Sequence, residues 1–340
     1  MQVMSITDAV SLVRDNDTLV IGGSGGGHAV PEALIVALGQ RFTATGKPNN
    51  LTLVHPVGLG DMDWQGVNHL AHPDLLKRIV TGALVNTPKV QTMAQKDQVE
   101  AYTLPQGALS QLMRAIAGGR PGVLSHVGLH TFVDPRYGGG RQSASAKEDL
   151  VELIIIDDQE WLLYKTFSFD VAFLRGTTAD EVGNITMEHE AIFGEMLSMA
   201  QAAHRCGGIV IAQVERLARC GTLHPKAVKV PGMLVDVVVV DPDQRQSYVV
   251  DFSPSYAGEL RIPLDEIPTL PMNERKVIAR RAAMEIAPGA ICNLGAGIST
   301  GISNIAAEEG FLDEIILTNE QGLIGGAPAG GVDAGAALNY

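Results

Sequence analysis

Short runs of β-branched and aliphatic residues alternate with amphipathic stretches along the first 250 residues, and this alternation limits the chain to few folds. Thr18-Leu19-Val20-Ile21, Leu51-Thr52-Leu53-Val54, Arg78-Ile79-Val80, Leu153-Ile154-Ile155-Ile156, Val171-Ala172-Phe173-Leu174, Ile209-Val210-Ile211 and Val235 to Val240 read as strands. Such near-continuous apolar runs are the pattern of strands buried on both faces of a sheet. Between them lie helical stretches, among them Pro31 to Leu38, Leu109 to Ala117 and Glu190 to Arg205. The expected fold class is therefore α/β, with open, mainly parallel sheets covered by helices.

At 340 residues the chain exceeds what one hydrophobic core usually supports. The stretch Ile262-Pro263-Leu264-Asp265-Glu266-Ile267-Pro268-Thr269-Leu270-Pro271 carries three prolines and cannot lie inside a helix or a central strand. After it the alternation restarts, with a helix from about Asn273 to Ile286, a strand Ala290-Ile291-Cys292-Asn293, a glycine turn, and a helix from Ser299 to Glu309. The domains expected are 1–261, a first α/β domain; 262–271, a linker; and 272–340, the N-terminal part of a second, related α/β domain. That last segment is thin for a sheet buried on both faces, so the second domain is expected to be incomplete. A fragment, a truncated reading frame or one piece of a nicked enzyme all fit that expectation.

Composition narrows the function classes. A formal charge of −13 speaks against a nucleic-acid surface, which needs clustered Lys and Arg. No stretch approaches the ~20 apolar residues of a membrane span. Met1-Gln2-Val3-Met4-Ser5 lacks a basic start and apolar core, so no secretory signal is read there. Three cysteines, Cys206, Cys220 and Cys292, cannot build a disulfide framework; reduced thiols in the cytoplasm are the simple account.

Several residues carry chemistry-capable groups, each with a plainer alternative. Gly22-Gly23-Ser24-Gly25-Gly26-Gly27 before a helix can cradle an anion, but it lacks the Lys-Ser/Thr end of a P-loop and the spacing of a dinucleotide fingerprint. Close backbone packing is the better account. His204-x-Cys206 and Cys220-x-x-x-His224 lack the paired Cys-x-x-Cys of a zinc site, and no metal is expected. His130, in the loop leading to Asp134-Pro135-Arg136, is either a general base or structural, and no partner for it is identifiable. Gln106 opens a helix after Pro105 and either caps it or donates to an oxyanion; Asn293, at a strand end before a glycine turn, faces the same choice. Glu320 ends the strand Ile315-Ile316-Leu317 at the mouth of a glycine-rich segment holding Gly322, Gly325 and Gly326. It is either a turn residue or a carboxylate that a large substrate can approach closely.

The chain resembles the family I coenzyme A transferases, particularly the fused acetate, propionate and short-chain acyl-CoA type. The resemblance is carried by Asp15 through Gly23, Glu100-Ala101-Tyr102 through Pro105-Gln106-Gly107, and Gly128 through Asp134-Pro135-Arg136. Arg175 through Asp180, Ala212-Gln213-Val214-Glu215, Asn293-Leu294-Gly295-x-Gly297 and Asn319-Glu320-x-Gly322 continue it. What the resemblance implies is a glutamate nucleophile at Glu320 and transfer of CoA between short-chain acyl-CoA and free carboxylates. The route is ping-pong, through a mixed anhydride and a glutamyl-CoA thioester. Gln106 and Asn293 then become oxyanion donors or substrate contacts, while Gly295, Gly297, Gly322, Gly325 and Gly326 allow close approach of CoA. CoA is a substrate, with no permanently bound cofactor.

The implied partners are acyl-CoA and small carboxylates, in a homo-oligomer, with a complementary C-terminal fragment as a further partner. Ser24 and Pro31 depart from the family's first signature, which has phenylalanine after the paired glycines and its proline one place earlier. Fused relatives also extend past Tyr340, with a further oxyanion donor and much of the CoA pocket in that region. Two other readings stand beside this one: a non-catalytic ligand-binding or inactive member of the same superfamily, and a sugar-phosphate isomerase-like enzyme.

Overall fold

In the computed structural model, which describes residues 1–295, 297–318, 323–333 and 336–338, the alternating runs form an α/β fold. The chain divides into two units, Met1–Glu188 with Phe193–Gln244, and His189–Ile192 with Arg245–Tyr340.

The first unit runs β1 (Gln2–Val3), α1 (Ile6–Ser11), β2 (Thr18–Ile21), α2 (Glu32–Thr45), β3 (Leu51–His55), β4 (Leu76–Thr81), α3 (Pro88–Gln95), β5 (Glu100–Thr103), α4 (Gln106–Ala117) and β6 (Gly122–Ser125). It continues with β7 (Val151–Ile156), β8 (Gln159–Lys165), β9 (Val171–Asp180), β10 (Ile185–Thr186), α5 (Met196–Arg205), β11 (Ile209–Ala218), β12 (Val228–Val230) and β13 (Val237–Val240). The main sheet has the order β1-β13-β11-β9-β2-β3-β4-β5, and every neighbouring pair in that row is parallel. The chain builds outward from β2 to β5, then returns to lay β9 on the other side of β2. That reversal makes a topological switch point, outside whose carboxyl ends ligands of open α/β sheets bind. Short β10 joins β9 and β12 in antiparallel fashion.

The strands are apolar because helices cover both faces. All ten residues of β9 are buried, and Leu19, Ile21, Leu53, Ile79, Phe173 and Ile211 pack with Leu34, Ile35 and Leu38 of α2 in one core. Each such side chain contributes roughly 1.5–3 kcal/mol on burial. Two buried polar side chains hold the start of α2. Helix α2 has no capping side chain of its own at Pro31; Gln213 of β11 supplies one, its Oε1 accepting from the N–H of Ala33 at 3.0 Å. The Arg175 guanidinium, only 4% exposed, donates to the Val30 carbonyl at 3.1 Å, so β9 and β11 together hold the entry to α2.

Two local expectations are corrected. The run Leu153 to Ile156 is not part of the parallel sheet; β7 pairs antiparallel with β8, and β8 with β6, in a separate three-stranded sheet. Asp157 and Asp158, at φ of 50° and 61°, form the two-residue hairpin turn that sends the chain straight back. The helix expected from Glu190 begins only at Met196, because Gly194 at φ 53° breaks the helical path. His189–Ile192 belongs to the other unit.

The second unit contains α6 (Glu274–Ala283), β14 (Ile291–Asn293), α7 (Gly301–Glu308), β15 (Ile316–Thr318), β16 (Ala327–Pro328) and β17 (Ala337–Leu338). Asn273 caps α6, accepting from the N–H of Lys276 at 3.2 Å. Strands β14 and β15 are parallel, and β16 pairs antiparallel with β17. The order helix, strand, helix, strand, with the strands parallel, repeats α1-β2-α2-β3 of the first unit. The proline-rich stretch lies within this unit. Ile267 is 4% exposed in its core beside Ala279, Ile305 and Leu317, and the Leu270 N–H donates to Glu308 at 2.8 Å. Among the described residues no helix is long and apolar enough to cross a membrane.

Candidate active site

The stretches that carry chemistry lie at carboxyl ends of parallel strands. In the first unit the ends of β3, β4 and β5 bring together His55-Pro56, Thr81-Gly82 and Pro105-Gln106. Gln106 is the first residue of α4. Pro105 occupies the capping position and no side chain caps there, so the capping alternative for Gln106 is not what the fold uses. Instead the side chain lies over Gly82. A Cβ on Gly82 would stand 2.4 Å from Gln106 Cγ and 2.2 Å from the Pro56 carbonyl oxygen, so only glycine lets these loops meet. Among the described residues the Gln106 amide has no hydrogen-bond partner. It is a half-buried donor at the positive end of a helix, where developing negative charge is stabilised.

Beneath it, His55 is fully buried, with Nδ1 2.5 Å from the Val57 carbonyl and 2.9 Å from Thr81 Oγ1. The Val57 carbonyl requires a proton on Nδ1. Burial pushes the imidazole down to about 4, so it is neutral at physiological pH. The unfolded chain therefore takes up this proton first as pH falls. Stability is unaffected by His55 above its ordinary pKa of 6.5 and declines from there down to about 4. The loss expected across that window is on the order of 3 kcal/mol. Urea midpoints measured against pH should show it, with a shallower decline for His55→Gln; an unchanged profile in that variant would refute the assignment.

In the second unit, the paired ends of β14 and β15 place Asn293 against Thr318. Asn293 is exposed, and its side-chain carbonyl accepts from Thr318 Oγ1 at 3.4 Å, which leaves its amide N–H groups without a partner among the described residues. Thr318 also bridges Ile324 in antiparallel fashion, and the Gly325 N–H donates to the Leu317 carbonyl at 2.7 Å. Glu320 and Gly322 lie outside the described residues. Gly295 and Gly297 face open space, since nothing lies within 4 Å of a Cβ built on either. Gly297, at φ 152° and ψ −141°, holds a backbone shape that other residues rarely adopt. Gly325 and Gly326 also have positive φ, at 87° and 67°.

The remaining candidates are structural. Gly22 and Gly23 pack against Met196 and Val30, where a Cβ would come within 2.6 Å of side-chain atoms, so the first glycine loop serves close packing. The Asp134 carboxylate is fully buried and accepts from the N–H groups of His130 and Arg136, each at 3.0 Å, and from the Arg136 guanidinium at 2.7 Å. That guanidinium holds the carboxyl well below the usual carboxylate range. His130 contributes its backbone to this knot while its ring is exposed. His224 accepts from the Lys226 N–H and caps a short turn; Cys206 and Cys220 are free thiols. Among the described residues no group of three or more His, Cys, Asp or Glu could hold a metal ion.

His55, Thr81 and Gly82 were not among the residues singled out by sequence. A signal existed in His55-Pro56, an imidazole and a proline directly after an apolar strand, but a lone histidine there has no identifiable partner until Thr81 is placed beside it.

The sequence pattern of the family described as Coenzyme A transferase matches residues 3–241, well over half of the chain. The chain belongs to the coenzyme A transferase family. This member of the family is 42% identical over 338 residues to the acetate CoA-transferase YdiF of Escherichia coli K12 and 44% identical over 339 residues to the caffeate CoA-transferase of Acetobacterium woodii. Each alignment covers 99% of the chain but only 64% of the relative's own length. Among solved structures, the acyl-CoA transferase YdiF of E. coli O157:H7, as a thioester complex with CoA, superposes with a TM-score of 0.90 at 41% identity, covering 99% of this chain and 67% of that one. The glutaconate CoA-transferase of Acidaminococcus fermentans, at 17% identity and a TM-score of 0.57 over 71% of this chain and 75% of its own, shares the fold.

Proposed function

We propose that the chain is the part of a CoA-transferase that carries the nucleophile, and that it moves CoA between short-chain acyl-CoA and free carboxylates such as acetate, propionate or butyrate. The observation that carries this reading is the whole-chain likeness to an acyl-CoA transferase solved as a thioester with CoA. In this reading the Glu320 carboxylate attacks the thioester carbonyl and expels the CoA thiolate, leaving a mixed anhydride. The thiolate then attacks the glutamyl carbonyl, the first carboxylate departs, and a glutamyl-CoA thioester remains for the acceptor acid to reverse both steps. Each tetrahedral intermediate bears an oxyanion, and side-chain amides such as those of Gln106 and Asn293, which have N–H groups without partners among the described residues, suit that charge. Gly295, Gly297, Gly322, Gly325 and Gly326 leave the backbone bare for CoA.

The reading includes a first α/β domain followed by a second that carries the nucleophile, a homo-oligomeric enzyme, a complementary C-terminal fragment as partner, and a cytoplasmic location. The transferase reading is favoured over a sugar-phosphate isomerase or a non-catalytic binding protein by the family match and by the thioester relative.

The assay is exchange of labelled acetate into acetyl-CoA by the complete enzyme, expected to proceed with ping-pong kinetics and without added metal. Binding of CoA with no exchange would overturn the proposal. The identity to the caffeate enzyme supports a second reading, in which the acceptor is a bulky aromatic acid. One methylene is worth only ~1–3 kcal/mol in such a pocket, so direct competition between acetate and caffeate is the deciding measurement. Preference for acetate is expected.

A further inference from the structure

His55 ends β3 and Thr81 ends β4, and the two residues are paired across the sheet. The Thr81 hydroxyl, 2.9 Å from the imidazole, donates to the Ala83 carbonyl at 3.1 Å and accepts from the Ala83 N–H at 3.3 Å. The Thr81 carbonyl accepts from the N–H of Leu104 at 3.0 Å, two residues before Gln106. The His55 ring holds the Val57 carbonyl, next to the Pro56 carbonyl that presses on Gly82. One buried hydroxyl–imidazole pair thus ties the loops after β3 and β4 to the start of α4, and Gly82, held between them, is the surface on which Gln106 lies.

An apolar pair would fill this space without the cost of burying polar groups, one of which, His55 Nε2, has no partner among the described residues. What a hydrogen-bonded pair adds is a single fixed geometry. The buried ring stays neutral at physiological pH, so the pair holds that geometry in one protonation state.

We infer that His55 and Thr81 are positioning residues for Gln106, setting the height and angle of Gly82 and through it the reach of the Gln106 amide toward an oxyanion. This rests on the reading of Gln106 as an oxyanion donor. Misplacement of a donor by a fraction of an ångström lowers turnover far more than it lowers binding.

A double-mutant cycle in the complete enzyme tests it. Thr81→Val is expected to lower kcat by about tenfold with KM for acyl-CoA changed by less than about twofold, and Thr81→Ser to recover most of the loss. In a Gln106→Ala background, Thr81→Val should then cost less than about a further twofold. An equal loss in both backgrounds, or no loss in either, overturns the inference and leaves the role of Gln106 intact. A Gln106→Ala enzyme with unchanged kcat overturns both together. Thermal melts accompany each variant, and if Thr81→Val does not fold, Thr81→Ala replaces it in the same cycle with the same expected outcomes.

Discussion

Transfer is expected to fall by at least about 10³-fold when Glu320 is replaced by alanine, because the proposed two-step route has no other nucleophile to run through. In the proposed route the carboxylate enters every half-reaction twice, once to open the incoming thioester and once as the acyl group that receives the thiolate. Removing it takes away the covalent path itself rather than some stabilisation of it. Glu320→Gln is expected to fall as far, since an amide keeps the shape and loses the nucleophilic oxygen. Intact mass supplies a readout independent of turnover. Incubation with acyl-CoA should add one CoA less one water to the unaltered protein, and nothing to either variant. A variant that still turns over, or that still gains this mass, would sink the assignment of Glu320.

The second large effect is expected at Gln106. Alanine there should lower kcat by roughly 10²–10³-fold with little change in KM, the signature of an interaction made chiefly in the transition state. Gln106→Glu should be at least as damaging, because a carboxylate would face the developing oxyanion. The melting temperature separates this from a helix-capping role. Loss of a capping side chain costs about 1 kcal/mol, whereas Pro105 occupies the cap position of α4 and Gln106 makes no capping bond. The Ala variant is therefore expected to melt with the unaltered protein while its turnover collapses. A lower melting point with kcat preserved would reverse the argument.

Much of the architecture was legible because it follows from burial. The β-branched runs at Thr18–Ile21, Val171 onward and Ile209 onward are apolar throughout since helices cover both faces, and each became a strand of the parallel sheet. What periodicity could not separate was an apolar run in a parallel sheet from one in a hairpin. Val151–Ile156 needed the Asp157-Asp158 turn to be weighed above its isoleucines. At the candidate site, sequence could offer Gln106 and Asn293 as amides at element ends, but could not decide between a cap and a donor. That Gln106 is not the cap of α4 follows from Pro105 taking that place and from Gly82 lying under Gln106, a contact made across neighbouring strands. His55 and Thr81 were invisible for the same reason: 26 positions separate them, and only the parallel register of β3 and β4 makes them partners.

The outermost strand of the main sheet has an implication for biogenesis. Gln2 and Val3 are made more than 200 residues ahead of their partners, Val237 and Val238 of β13, which are among the last residues of that unit to be made. During synthesis β1 must wait without its strand partner until almost the entire first unit has emerged, and long-range parallel pairings of this kind close slowly. A nascent chain halted before Val237 would have no seat for β1.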